Sequence, residues 1–143
     1  MNSSTTEILK KYRSIAVVGI SRSEDKDAHK IPKYMKSQGY TIIPINPFVN
    51  EILGEKCYRS LLEIPKALQS TIEIVNIFRP SRDAFEVVKK ALEMKKSVGR
   101  PFVVWMQLGI VNEEAAELAR REGIEVVMDR CLLVEHRRML RGN

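Results

Sequence analysis

Short apolar runs recur along the chain and alternate with stretches of a different period. The runs at Ile15–Val18, Thr41–Ile45, Glu73–Phe78, Phe102–Met106 and Ile124–Met128 are mostly apolar and β-branched, as in strands covered on both faces. Between them, apolar positions fall three and four apart. Phe85, Val88 and Leu92 with Val87, Ala91 and Met94 mark a helix over about Arg82–Ser97, with Ser81 as its cap. Ala115, Leu118 and Ala119 mark another, capped by Asn112 and stopped by Gly123. A helix over about Asp27–Gln38, stopped by Gly39, contains Pro32, which is tolerated near a first turn and so places the start later. Short helices are predicted over about Thr5–Tyr12, with a Ser or Thr cap, and over Cys131 to about Leu140. The segment Phe48–Leu68 is mixed: a turn at Gly54, an extended piece at Glu55–Tyr58 and a short helix after Ser60.

Strands alternating with helices predict parallel strands joined by right-handed crossovers. The expected fold is a Rossmann-like, doubly wound α/β sheet of five strands in the order 3-2-1-4-5. It forms one domain over residues 1–143, with an N-terminal helix in 1–13 and a C-terminal helix and tail in 131–143. No run approaches the roughly 18 apolar residues of a membrane span. No export signal stands at the N-terminus, so a cytoplasmic location is expected.

In such a sheet, ligands bind outside the carboxyl ends of the strands, at the switch point. The order 3-2-1-4-5 puts that crevice between strands 1 and 4. Strand 1 ends in Gly19, but Ser21 and Glu24 stand where a dinucleotide fingerprint has its further glycines. The loop after it carries Ser21, Arg22, Lys26 and, further on, Lys30, an anion site if a helix N-terminus adds its free N–H groups. Strand 2 ends in Asn46-Pro47, with no carboxylate before Glu51. NAD needs an acidic residue there for its ribose, so NAD is disfavoured and a phosphorylated ribose is tolerated. Arg79 after strand 3 and the Gln107 amide after strand 4 also reach toward the crevice, whereas Trp105 is expected in the core.

The net charge of +6 favours anionic partners. The cations are dispersed and aromatic content is 6%, so no nucleic-acid surface is read. Cys57 and Cys131 are far apart, and His29 and His136 are isolated. No metal site follows from that spacing, and both histidines are expected at the surface or in loops. No residue set reads as catalytic. The one candidate is Cys131, which follows Asp129-Arg130 at a helix start, an environment that lowers a thiol pKa. Cys131 would then form a mixed disulfide with a thiol cofactor or accept an acyl group; the plainer reading is a small buried cysteine.

Several segments together carry a resemblance: Ala16-Val-Val-Gly-Ile-Ser21, Gly39-Tyr-Thr-Ile-Ile-Pro-Ile-Asn-Pro47, Phe78-Arg79, Val104-Trp-Met-Gln-Leu-Gly109 with Asn112-Glu-Glu-Ala115, and Val126-Val-Met-Asp-Arg-Cys131. In this order the chain resembles the single-domain CoA-binding proteins, whose fold is similar to the CoA-binding domain of the succinyl-CoA synthetase α subunit. The resemblance implies that coenzyme A, or an acyl-CoA, lies across the strand ends. It implies phosphates at Gly19, Ser21, Arg22 and Lys26, and the nucleotide beside Asn46 and Pro47. Adenine would lie toward Phe78, Arg79 and Pro80, with the pantetheine path toward Gln107. The implied role is a non-catalytic carrier, sensor or regulatory module, with or without a protein partner and with its oligomeric state open. The ligase activity of the synthetase does not carry over, because no counterpart of its phosphohistidine segment or second domain is visible. An NADP-type redox or regulatory protein and an enzyme using Cys131 on CoA thiols or thioesters are the alternatives.

Overall fold

The computed structural model of the chain describes residues 3–142. Five parallel strands form the main sheet: β1 Ser14–Val18, β2 Thr41–Ile45, β5 Ile74–Ile77, β6 Val103–Met106 and β7 Glu125–Val127. A small antiparallel ladder, β3 Glu51–Ile52 with β4 Glu55–Lys56, interrupts the connection after β2. The helices are α1 Thr5–Lys11, α2 Asp27–Ser37, α3 Lys66–Gln69, α4 Ala84–Val98, α5 Glu113–Arg121 and α6 Leu132–Leu140.

Alternation along each strand sorts the core into two layers. On β1, Ile15 and Val17 pack with Ile8 and Leu9 of α1, Met35 of α2 and Leu132 of α6. Ala16 faces the other way, with Val88 and Ala91 of α4 and Ala115 and Ala119 of α5. Helices therefore cover both faces, which is why the strands carry so few polar residues. Ser14, Thr41 and Glu125 are polar at strand starts, and Asn76 of β5 is polar within a strand. Asn76 is fully buried, with its Nδ2 donating to the Trp105 carbonyl at 3.2 Å.

The α/β architecture is the expected one, but the strand order is not. The sheet runs β2-β1-β5-β6-β7: the third long strand pairs with β1, on the side away from β2, rather than lying outside β2. The reason is a strand too short to be read from its pattern. Tyr58 makes a single parallel bridge to Ile45. Its N–H donates to the Pro44 carbonyl at 3.0 Å, and its carbonyl accepts from Asn46 N–H at 2.9 Å. Tyr58 thus occupies the outer edge of β2. Counted as a strand, it restores the doubly wound order 3-2-1-4-5-6, with the third strand reduced to one residue. The switch point accordingly lies between β1 and β5, not between β1 and β6.

Side-chain caps hold at two helix starts, those of α1 and α5. Ser4 caps α1 with a full capping box: its Oγ accepts from Glu7 N–H at 3.1 Å, and the Glu7 carboxylate accepts from Ser4 N–H at 2.8 Å. Asn112 Oδ1 caps α5 through Ala115 N–H at 2.9 Å. Two expectations fail. Ser81 caps nothing: it begins a 3-10 turn, Ser81–Asp83, ahead of α4. Its Oγ accepts from Val111 N–H at 3.0 Å and its carbonyl from Asn112 Nδ2 at 2.9 Å, so it ties the loop after β5 to the loop after β6. The other is α2, which starts at Asp27 and keeps Pro32 in its interior. Proline cannot donate to the carbonyl four residues back. That carbonyl, of Ala28, instead accepts from Ser21 N–H at 3.1 Å.

No helix among the described residues is long and apolar enough to cross a membrane.

Candidate functional site

The carboxyl ends of β1, β2 and β5 open onto a cleft of about 500 Å³, within the size range of small-molecule sites. Gly19 forms part of its floor. Its N–H donates to the Ile45 carbonyl at 3.0 Å, and its φ is +95°. A Cβ there would stand 2.7 Å from the Phe78 carbonyl oxygen and 3.1 Å from Arg79 Cδ. Glycine is required both by the left-handed backbone and by the approach of the loop after β5.

From Gly19 the chain enters a loop pinned to α2. Besides the Ser21–Ala28 bond, His29 Nδ1 lies 2.8 Å from the Ser21 carbonyl, and Ser21 Oγ accepts from Ser23 N–H at 3.0 Å. Arg22 and Lys26 are exposed and make no ion pair among the described residues. Glu24, Asp25 and Asp27 are exposed in the same stretch, so the loop carries side chains of both signs.

Asn46 joins the loops after β1 and β2. Its Nδ2 donates to the Ile20 carbonyl at 2.9 Å, and its Oδ1 accepts from Phe48 N–H at 2.8 Å. This is an Asx turn with a cross-loop clamp. Pro47 and Phe48 follow at the rim, and the Phe48 ring is 88% exposed. Opposite, Arg79 pairs with Asp83 at 3.0 Å. Arg59, Ser60 and Leu61 enter from beyond the Tyr58 bridge, and Glu86, Val87 and Lys90 from α4.

Of the residues singled out in the sequence, Gly19, Asn46, Pro47 and Arg79 line this cleft. Ser21, Arg22 and Lys26 belong to the adjoining loop. Phe78 and Pro80 flank Arg79 without lining the cleft. Gln107 is buried: its Oε1 accepts from Leu132 N–H at 3.3 Å and from Asn76 Nδ2 at 3.4 Å. Gln107 Nε2 and Asn76 Oδ1 are buried without a hydrogen-bond partner among the described residues. Phe48, Arg59, Ser60 and Lys90 line the cleft and were not singled out. One signal was available for Lys90, because Asp83, Glu86, Val87 and Lys90 fall at helical spacing on one stripe of α4 and the turn before it. Arg59 carried none, since its position depends on the one-residue strand.

Neither histidine is at the surface. His29 and His136 are 8% and 2% exposed, and His136 Nδ1 lies 2.8 Å from Tyr34 Oη. Burial, with the Arg13 charge adding to it, pushes the His136 pKa below the usual histidine value. Cys131 precedes α6, 9% exposed, packed in the layer that holds Trp105 and Leu132. Cys57 is also buried, its Sγ 3.6 Å from the Asn46 carbonyl. Burial pushes the Cys57 thiol pKa up, and that hydrogen bond offsets part of the effect.

A family model described as a CoA binding domain matches residues 13–137. An uncharacterized protein of Bacillus subtilis, YneT, is 42% identical over 130 residues, covering 91% of this chain and 90% of that protein. The ADP-forming acetate–CoA ligase of Methanocaldococcus jannaschii is 32% identical over 127 residues, covering 84% of this chain but only 17% of the ligase. A hypothetical protein from Pyrococcus horikoshii has a solved structure that superposes with a TM-score of 0.85 at 38% identity, covering 95% of this chain and 89% of that one.

Proposed function

The chain belongs to the CoA-binding domain family, and on that premise we propose that it binds coenzyme A or an acyl-CoA as a non-catalytic carrier, sensor or regulatory module. The observation that carries the reading is the floor of the cleft. Gly19 lets backbone approach backbone where a diphosphate would cross, and the end of β2 offers Asn46 in place of a ribose-binding carboxylate. Both Asn46 amide atoms are committed to the loops. The end of β2 thus offers no carboxylate for an NAD ribose.

In this reading the diphosphate lies over the loop that Gly19 begins, near Ser21, Arg22 and Lys26. The adenosine enters the cleft between Asn46-Pro47 and the Phe78-Arg79-Pro80 turn, and the exposed Phe48 ring supplies a face for the base. The pantetheine arm leaves over the loop that Gln107 begins. The ligase similarity covers a small fraction of the ligase, and acyl-CoA synthesis forms no part of the proposal.

Calorimetric titration with CoA, NADP and NAD tests it. CoA is expected to bind and NAD to fail. Binding of NADP without any response to CoA overturns the reading and supports the NADP alternative.

A further inference from the structure

The charges around the cleft are not balanced pair by pair. Its two carboxylates are each engaged by a neighbouring cation: Asp83 by Arg79 at 3.0 Å, and Glu86 by Lys89 at 3.2 Å. Arg59 and Lys90 line the same cleft and make no ion pair among the described residues. Ser60 stands beside Arg59 at the cap position of a 3-10 turn, yet its hydroxyl caps nothing. A guanidinium, an ammonium and a hydroxyl therefore line one cleft with no ion-pair or capping partner among the described residues.

Their roots are fixed. Arg59 follows Tyr58, whose backbone is bonded to Pro44 and Asn46. Lys90 lies between the buried residues Val88 and Ala91 of α4. The Arg59 side sits two strand spacings from Gly19, since Tyr58 lies beyond β2 and β2 beyond β1; that is about 10 Å. An anion held there is distinct from one held over the Gly19 loop.

From this arrangement we infer that Arg59, Ser60 and Lys90 form a separate subsite for a phosphomonoester on the ribose of the nucleotide. A terminal phosphate carries a charge of about −1.5 to −2 near neutral pH and is matched by two cations, whereas each phosphate of a diphosphate bridge carries about one charge. Arg59 supplies a planar donor fork, Lys90 a point charge and Ser60 a neutral donor. The inference rests on the CoA reading. It makes Arg59 and Lys90 the residues that distinguish CoA from dephospho-CoA, the same molecule without its 3′-phosphate.

The test is titration of wild type, Arg59→Gln, Lys90→Gln and the double variant with CoA and with dephospho-CoA, with circular dichroism confirming that each variant is folded. Wild type is expected to prefer CoA, each single variant to lose about tenfold in CoA affinity, and the double variant to bind the two ligands alike. Dephospho-CoA binding should stay near wild type throughout. Equal wild-type affinity for both ligands overturns the subsite and leaves the CoA reading standing. So does a CoA preference that survives the double variant, or a parallel loss of both ligands. Wild type that binds neither ligand overturns the CoA reading, and the subsite with it.

Discussion

Gly19 and Phe78 face each other with no room for a single carbon between the Gly19 Cα and the Phe78 carbonyl. Gly19→Ala combines that clash with a left-handed backbone. It is expected to cost about 2–5 kcal/mol and to abolish CoA binding even where the fold survives. Gly109→Ala is the control. Gly109 also has a positive φ, +83°, but a Cβ there meets nothing within 4 Å, so the loss should be about 1–2 kcal/mol. Urea unfolding and calorimetry on the two variants check both numbers.

Asn46 is expected to act through the loops it joins. Asn46→Ala removes the bonds to Ile20 and Phe48 and should cost about 1–3 kcal/mol. Asn46→Asp keeps an acceptor for Phe48 N–H but sets a carboxylate against the Ile20 carbonyl and adds a negative charge at the cleft. Its CoA affinity should fall below that of the alanine variant. If aspartate binds CoA as well as wild type, Asn46 does not face the phosphates at all.

His136 makes stability depend on pH in a known direction. Its folded pKa lies below the ordinary value of 6.5, so the unfolded chain binds the proton more readily. The contribution is complete above the ordinary value and is lost as pH falls toward the depressed folded one. Stability measured by urea unfolding should therefore rise with pH across that window, and His136→Gln should flatten the rise. An unchanged slope in the variant would assign the pH dependence to other groups.

Both thiols are buried, and Cys57 is further disarmed by its raised pKa. The folded protein is expected to resist alkylation at both sites until it is unfolded. Incubation with CoA disulfide should add no CoA mass. A mass gain that is reversed by reductant and absent in Cys131→Ser would instead establish thiol–disulfide exchange at Cys131, releasing one CoA thiol for each adduct, and would revive the covalent reading.

Much of the layout was legible because apolar runs and helical periodicity are local. Thr41–Ile45 is recovered to the residue, and Ser4 and Asn112 cap as their types predict. What was hidden depended on distant partners. Tyr58 counts as a strand only because Ile45 lies beside it, and without it the sheet order comes out wrong. His29 and His136 look like isolated polar residues until α2 brings His29 to Ser21 and Tyr34 to His136. At the cleft, Gly19, Asn46, Pro47 and Arg79 end elements whose positions follow from the strands. Arg59 and Lys90 arrive from an irregular segment and from the middle of a helix.

Pro32 has a consequence for how the Gly19 loop behaves in solution. By withholding a donor from its own helix, it makes the Ala28 carbonyl available to Ser21. The Ser21 amide proton should therefore exchange with solvent as slowly as the amides of α2 itself, rather than at the rate of an open loop. Restoring the donor with Pro32→Ala creates a competitor for that carbonyl and should speed exchange at Ser21 while leaving α2 protected. The loop holds its shape before any ligand arrives, so less ordering remains to oppose binding.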